Sequence, residues 1–186
     1  NQGPAAARNA GLSIARGKYV LFLDADDRIP PHKLALHTAR LESDPAVCLV
    51  YSGWRCISED GLQVLSVLRP NRQGRLIKEL LRRRFYLVTG AVVVRRASID
   101  AVGVFDVSLK HAEDTDLWVR LARAGFAFGY VDELLFDYRT VQGSLSRNFA
   151  SHEQHELARL DKFFADPALP ADLLAVKAEA YAAIHY

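Results

Sequence analysis

Three carboxylates crowd into four residues, Asp24, Asp26 and Asp27, where an apolar run beginning at Tyr19 ends. Like charges so close repel one another, and each is costly to take out of water. A cation between them removes both penalties. Donors that are all oxygen suit a hard divalent ion, Mg2+ or Mn2+, which keeps waters and substrate phosphates in its shell. The spacing therefore fits a metal-diphosphate site. It also fits a solvated loop in which Asp26 or Asp27 caps the helix that follows. A second cluster, Glu113, Asp114 and Asp116, opens a helical pattern. Acids in a first turn stabilise the helix dipole, but one would suffice there. Of the basic residues, Arg8 could meet an anionic or nucleotide ligand, or simply face solvent. Arg139 opens a polar stretch to Arg147 in which Ser144 and Ser146 could join it at a phosphate.

These residues need elements to hold them. Tyr19 to Leu23 is short, partly β-branched and aromatic, and follows Gly17, so it reads as a buried strand. Such strands belong to parallel sheets covered on both faces, and ligands bind beyond their carboxyl ends. Upstream, Pro4 to Arg16 reads as a helix with Pro4 in its first turn and Gly17 as its stop. Downstream, Pro30-Pro31 opens a helix to about Ser43, with Leu34, Ala35, Leu36 and Leu41 as its apolar side and His32 and His37 on the surface. Val47 to Ser52 is the next strand and completes a β-helix-β unit. Asp60-Gly61 turns a hairpin between Trp54–Ile57 and Leu62–Val67. Tyr86 to Val94 reads as a strand interrupted by Gly90, which marks the close approach of a ligand or another backbone. Arg95 to Val102 is a short helix. Leu117, Leu121 and Ala124 stripe another, stopped by Gly125. Phe126–Val131 and Leu134–Tyr138 read as two short strands. Ser151 to Tyr186 reads as two helices broken at Pro167 and Pro170, with no chemical motif.

The bulk numbers narrow the class. Of the 186 residues, 50% are hydrophobic and 25% charged, enough for one sizeable core. A net charge of +2 gives no pull toward nucleic acid. Cys48 and Cys56 lack metal-ligand spacing; two thiols suit a reducing, cytoplasmic compartment, with a single disulfide as the alternative. Between Arg69 and Arg84 lie Arg72, Arg75, Lys78, Arg82 and Arg83, with Leu76, Ile77, Leu80 and Leu81 at helical spacing. Such a helix can lie at the inner face of an anionic membrane as a peripheral contact, hold an anionic acceptor, or be a solvated face over a packed one. No run approaches the roughly 18 apolar residues of a spanning helix. The chain has no methionine and opens at Asn1 on helix-like sequence, so it is expected to be a fragment.

Several short pieces fall in a telling order: Asn1-x-Gly3, Ala7-Arg8-Asn9-x-Gly11, then Ala15-x-Gly17-x-Tyr19-x-x-Phe22-Leu23-Asp24-Ala25-Asp26-Asp27. Gly103-x-Phe105-Asp106, Glu113-Asp114-x-Asp116-Leu117-x-x-Arg120-Leu121, Gly125 and Tyr138-Arg139 follow. Over residues 1–147 the pattern resembles the family 2 glycosyltransferases, nucleotide-sugar-dependent inverting enzymes of the GT-A fold. The resemblance implies an α/β fold with a mixed, mainly parallel sheet flanked by helices, its first strands missing. Residues 1–148 would be a partial GT-A domain and 149–186 a C-terminal helical extension. Asp24-Ala25-Asp26 would be the DXD motif, with Asp26 on the metal (Mg2+ or Mn2+) of the donor diphosphate and Asp24 near the ribose or the metal. Asp114 would be the catalytic base, with Glu113 beside it toward the acceptor. Arg8 would lie near the nucleotide base, and Arg139 with the loop after it would close over the donor. The implied partners are a nucleotide-diphosphate sugar and a glycan or lipid-linked acceptor. No Gln-x-x-Arg-Trp follows Arg139, which argues for single additions rather than a processive synthase. Two other readings stand beside this one. A metal-dependent nucleotidyl- or phosphotransferase would need no base at Asp114, and a sugar-nucleotide-binding fragment would be inactive.

Overall fold

The structure is a computed structural model that describes residues 2–141 and 149–184. Asn1, Gly143, Ser144, Ser146 and Arg147 therefore lie outside the described residues. The order is α1 (Pro4–Ile14), β1 (Tyr19–Val20), α2 (Lys33–Ser43), β2 (Val47–Ile57), β3 (Val64–Leu68) and α3 (Ile77–Leu81). A 3-10 turn (Thr89–Ala91), β4 (Val92–Arg95), α4 (Arg96–Val102), α5 (Glu113–Arg123), β5 (Ala127–Arg139), α6 (Phe149–Phe164), α7 (Ala171–Leu174) and α8 (Lys177–Ala182) follow.

β2 is the axis of the five-stranded sheet. β5 runs parallel along one of its edges. β4 and then the hairpin partner β3 lie antiparallel along the other, and β1 adds antiparallel to β4. The sheet is mixed, but its parallel share is the single β2–β5 pairing, smaller than expected. The Asp60-Gly61 hairpin and the return of β4 reverse the chain locally, and only β5, reached through the helices α4 and α5, arrives parallel. Val47 to Trp54 is buried without alternation because both faces of β2 are covered. β4 shows the two sides: Val92 and Val94 join the large core with Leu12, Ile99, Leu117 and Trp118, whereas Val93 packs with Leu41, Val47 and Val50 under α2.

Five expected elements differ. The strand expected over Tyr86 to Val94 shrinks to β4, because Thr89–Ala91 turn in a 3-10 helix before the chain enters the sheet at Val92. β1 holds only two residues; Leu21 to Leu23 leave the sheet, and Phe22 packs edge-on against Phe105 at 4.9 Å. β2 continues to Ile57 instead of stopping at Ser52. The two short strands after Gly125 are one, β5, in which Asp132 and Glu133 bulge where Ser52↔Val131 pairing passes to Gly53↔Leu134. The C-terminal segment forms three helices, and Leu160, Phe163, Leu173, Val176 and Ala180 enter the same core cluster as the sheet.

α2 is turned relative to its apolar pattern. Its buried stripe is Lys33, His37 and Leu41, at i, i+4 and i+8, while Leu34 and Ala35 face solvent. His32 is exposed as expected, but His37 is fully buried. Leu41 must sit on Val47 and Val50, and helical spacing then carries Lys33 and His37 inward with it. Lys33 Nζ donates to the Ala91 carbonyl at 3.0 Å and faces the Phe136 ring. Burial pushes Lys33 down to about 7. Burial first, then the neighbouring Lys33, pushes His37 down to about 3. Between pH 7 and the ordinary lysine value of 10.5 the unfolded chain binds a proton at Lys33 that the folded chain does not. Stability must therefore rise with pH through that window and fall as pH drops through 7. Lys33→Met is expected to flatten this slope in urea unfolding at pH 7 and 9.5; an unchanged slope would refute the assignment.

The basic stretch 69–84 contains only the five-residue helix α3, with Leu76, Leu80 and Leu81 buried. Its charges meet acids: Arg69–Asp132 at 2.9 Å, Lys78–Asp172 at 2.8 Å, Arg82–Glu179 at 2.8 Å, Arg84–Glu179 at 3.4 Å and Arg83–Glu156 at 3.8 Å. These pairs tie the stretch mainly to the C-terminal helices. Among the described residues, no helix is long and apolar enough to cross a membrane.

Candidate functional site

α1 presents Arg8 to both acidic clusters at once. Its Nη2 donates to the Asp24 carboxylate at 3.2 and 3.3 Å, and its Nη1 to Glu113 Oε1 at 2.5 Å. The Asp24 side chain is 56% exposed; those of Arg8 and Glu113 are 11% and 9% exposed. Burial works against the Arg8 charge, but Asp24, Glu113 and Asp114 outweigh it and hold its proton more tightly than usual. Burial, then Asp114, raises Glu113, against the pull of Arg8. Asn9, a poor residue for a helix interior, is explained next door. It brackets Phe105, donating to its carbonyl at 2.9 Å and accepting from its amide at 3.0 Å.

The three acids of α5 divide their work. Glu113 takes Arg8. Asp114 faces the cavity. Asp116 holds Arg120 Nε at 2.7 Å, and Arg120 in turn donates to the carbonyls of Val102, Gly103 and Val104. The third acid is thus part of the frame, not of the site. Asp114 Oδ1 accepts from the Thr115 amide at 2.6 Å and Oδ2 from Thr89 Oγ1 at 2.8 Å.

Asp24, Asp27 and Asp114 line one cavity of ≈ 610 Å³, together with Arg8 and Thr89. Its other walls include Trp54, Tyr86, Phe136 and Tyr138, with Arg83, His152 and Glu156 at the side of α6. Trp54 and Tyr86 meet edge-to-face at 5.6 Å. Asp26 is exposed and does not line the cavity; Asp27 does. A turn closed by Asp27 N donating to Asp24 O at 3.2 Å decides which acid points inward. Burial, reinforced by Asp26 and Asp24, pushes Asp27 up to about 7 against a hydrogen bond from the Arg139 amide at 2.8 Å. The Arg139 guanidinium reaches the carbonyls of Asp26 at 2.7 Å and Glu59 at 2.6 Å. It braces the acidic tip and does not line the cavity. Among the described residues, no three His, Cys, Asp or Glu side chains form a complete metal cage.

Gly90 has a packing reason in addition to the close approach its position suggested. A β-carbon there would lie 2.3 and 2.5 Å from atoms of the Phe136 ring. The space is taken by a side chain of β5, and Gly90 itself lines the cavity. Phe136 is 1% exposed and has nowhere to go. Gly90→Ala is expected to cost about 1–3 kcal/mol by overpacking, read as a lower urea midpoint with unchanged m-value; a midpoint equal to wild type would refute the clash.

Sequence reasoning missed Thr89, Trp54, His152 and Glu156. Each is a single residue without a pattern, and only the packing of β2, the 3-10 turn and α6 brings them to the cavity. Backbone strain gives a second, structural pointer. Arg83 (φ 52) and Ala112 (φ 62) are the non-glycine residues in the left-handed region among those described. Arg83 lines the cavity and Ala112 directly precedes Glu113, in keeping with the clustering of such strain at functional sites.

Comparison with known proteins bears on this site. The sequence profile of Glycosyl transferase family 2 matches residues 1–103. The amylovoran biosynthesis glycosyltransferase AmsB of Erwinia amylovora is 27% identical over 171 residues, 89% of this chain and 55% of that protein. The putative teichuronic acid biosynthesis glycosyltransferase TuaG of Bacillus subtilis is 26% identical over 148 residues, 80% of this chain and 57% of its own length. The chain thus spans about half the length of these curated relatives. Among solved structures, S. aureus TarS 1–349 in complex with UDP-GlcNAc superposes with a TM-score of 0.69 at 18% identity, over 99% of this chain and 52% of that one. The mannosyltransferase PcManGT of Pyrobaculum calidifontis, in complex with GDP-Man and Mn2+, gives 0.63 at 17% identity, over 100% and 53%. The mixed sheet with its flanking helices is the GT-A fold of these neighbours, and, with the profile covering more than half its length, the chain belongs to glycosyl transferase family 2.

Proposed function

We propose that this chain carries the catalytic site of an inverting glycosyltransferase. It moves single sugars from a nucleotide-diphosphate sugar to an acceptor hydroxyl, in the synthesis of a glycan or cell-surface polysaccharide. The observation that carries the reading is that Asp24 and Asp27 share one cavity with Asp114, with Arg8 bridging the two clusters. Inversion needs the diphosphate and the acceptor on opposite faces of the anomeric carbon, and two separated acidic groups supply that division. The relatives named for polysaccharide synthesis and the neighbours crystallised with UDP-GlcNAc and GDP-Man support it.

The residues at the acidic tip suit a divalent ion. Asp27 is held near 7 by burial and by the charges of Asp26 and Asp24, an excess of negative charge that a cation relieves. Mg2+ commonly binds through one or two carboxylates plus substrate phosphates, so an open carboxylate edge suits it better than a closed cage. Asp24 and Asp27, which line the cavity, would hold Mg2+ or Mn2+, which would neutralise charge developing on the leaving diphosphate. Asp114 takes the proton of the acceptor hydroxyl. Glu113, kept in place by Arg8, lies next to Asp114 on the acceptor side. The apolar walls limit the water that could compete with the acceptor.

Thermal unfolding tests this with UDP-GlcNAc and GDP-Man, each with and without Mn2+. A true donor at about a hundredfold excess over its Kd adds about 2.7 kcal/mol, or roughly 5–10 °C for a chain of this size. The gain should need Mn2+. No shift with any nucleotide sugar, and no nucleoside diphosphate released, would end the proposal.

A further inference from the structure

We propose that Thr89 is a positioning residue that fixes the Asp114 carboxylate for proton transfer; this rests on Asp114 being the proton acceptor. The Thr115 amide donates to one carboxylate oxygen at 2.6 Å and the Thr89 hydroxyl to the other at 2.8 Å. One donor alone leaves the group free to turn about its side-chain bond. Two donors on different oxygens, from different elements, define its plane. The Thr115 hydroxyl adds a longer contact to Oδ1 at 3.4 Å, so Oδ2, the oxygen that Thr89 holds, is the one that keeps a lone pair for an incoming proton.

The part of the chain that offers Thr89 is itself fixed. Thr89 is buried in the 3-10 turn Thr89–Ala91. Lys33 Nζ binds the last carbonyl of that turn at 3.0 Å. Gly90 lies so close to the Phe136 ring that no β-carbon fits between them. Thr89 and Asp114 both line the cavity. The hydroxyl therefore sets where the accepting oxygens stand relative to a bound acceptor.

The test uses the full chain with Mn2+ and either UDP-GlcNAc or GDP-Man, reading release of UDP or GDP for wild type, Thr89→Val, Thr89→Ser and Asp114→Asn. Thr89→Val is expected to lower kcat by roughly 10- to 100-fold and leave the donor KM unchanged. Thr89→Ser, which keeps the hydroxyl, should recover most of the rate. If Asp114→Asn lowers turnover by more than tenfold but Thr89→Val leaves kcat unchanged, the positioning role is overturned and the reading of Asp114 stands. Turnover within tenfold of wild type in Asp114→Asn overturns both. Melting temperatures of Thr89→Val, Asp114→Ala and the double variant give a readout independent of turnover. Coupled residues lose less together than the sum of the single losses. Strictly additive losses would show that the contact carries no energy and would overturn the proposal.

Discussion

Asp114→Asn is expected to lower sugar transfer by about two to four orders of magnitude in kcat while donor binding survives. Asparagine keeps the shape of the side chain; its oxygen can still accept from the Thr115 amide, and its NH2 can donate to the Thr89 hydroxyl oxygen in place of the bond that Oδ2 accepted. What it loses is the charge, and with it the ability to take a proton from an acceptor hydroxyl. Donor binding should persist because the residues proposed to hold the diphosphate, Asp24 and Asp27, line another part of the same cavity. Nucleoside diphosphate release and the donor-induced rise in melting temperature therefore need to be measured on the same preparation. A rate within tenfold of wild type would remove Asp114 from the role of base. Loss of binding together with rate would mean that the site had collapsed, which Thr89→Ser and Asp114→Ala melting curves would reveal.

The second large effect is on stability. Arg8→Met removes the cation between Asp24 and Glu113. Glu113 is 9% exposed at its side chain and has Asp114 as its immediate neighbour. Stripping one partner from a buried ion pair typically costs about 3–5 kcal/mol, because the remaining charge is buried alone. The pH dependence follows in sign. Glu113 already binds its proton more tightly than usual, and without Arg8 this tendency grows. A carboxyl raised in the folded state is destabilising as pH climbs through its folded value and harmless in acid. The deficit of Arg8→Met should therefore be largest at pH 7 and shrink toward pH 4 in urea unfolding. Arg8→Met with Glu113→Gln should recover part of it. A deficit below about 1 kcal/mol at pH 7 would class the bridge as a solvated surface pair.

How much of this was readable from the chain depends on the range of each signal. α1, α5 and the β2–β3 hairpin carry their own starts, stops and turn residues, and they stand where local pattern puts them. The direction of β4 and the turning of α2 depend on what lies behind them. Nothing near Lys33 or His37 says that a sheet will lie under that face. Asp132 and Glu133 read as a break between strands because a bulge and a loop use the same polar residues. At the site, Asp24 and Asp114 stood out as clusters, and both line the cavity. Asp27 and Asp26 exchange places relative to the expected pattern, since a single backbone turn decides which faces inward. Arg8 was singled out, but its partners here are carboxylates. The walls escaped notice because Trp54, Thr89 and Glu156 come from a strand, a turn and a late helix, and no spacing links them.

The far end of β5 behaves as a ruler for everything around it. Phe136 fills the room left by Gly90. Asp137 clasps Arg55 at 2.6 Å and exchanges backbone hydrogen bonds with Arg28 at 2.8 and 3.1 Å. Tyr138 faces the cavity, and Arg139 braces Asp26 and Asp27. Side chains alternate along a strand, so a shift of one residue exchanges every one of these duties. The two surplus residues at Asp132 and Glu133 are what set the phase between the buried half of the strand and this end. Removing one of them would scatter the acidic tip and the Thr89 turn while leaving each acid in the sequence untouched.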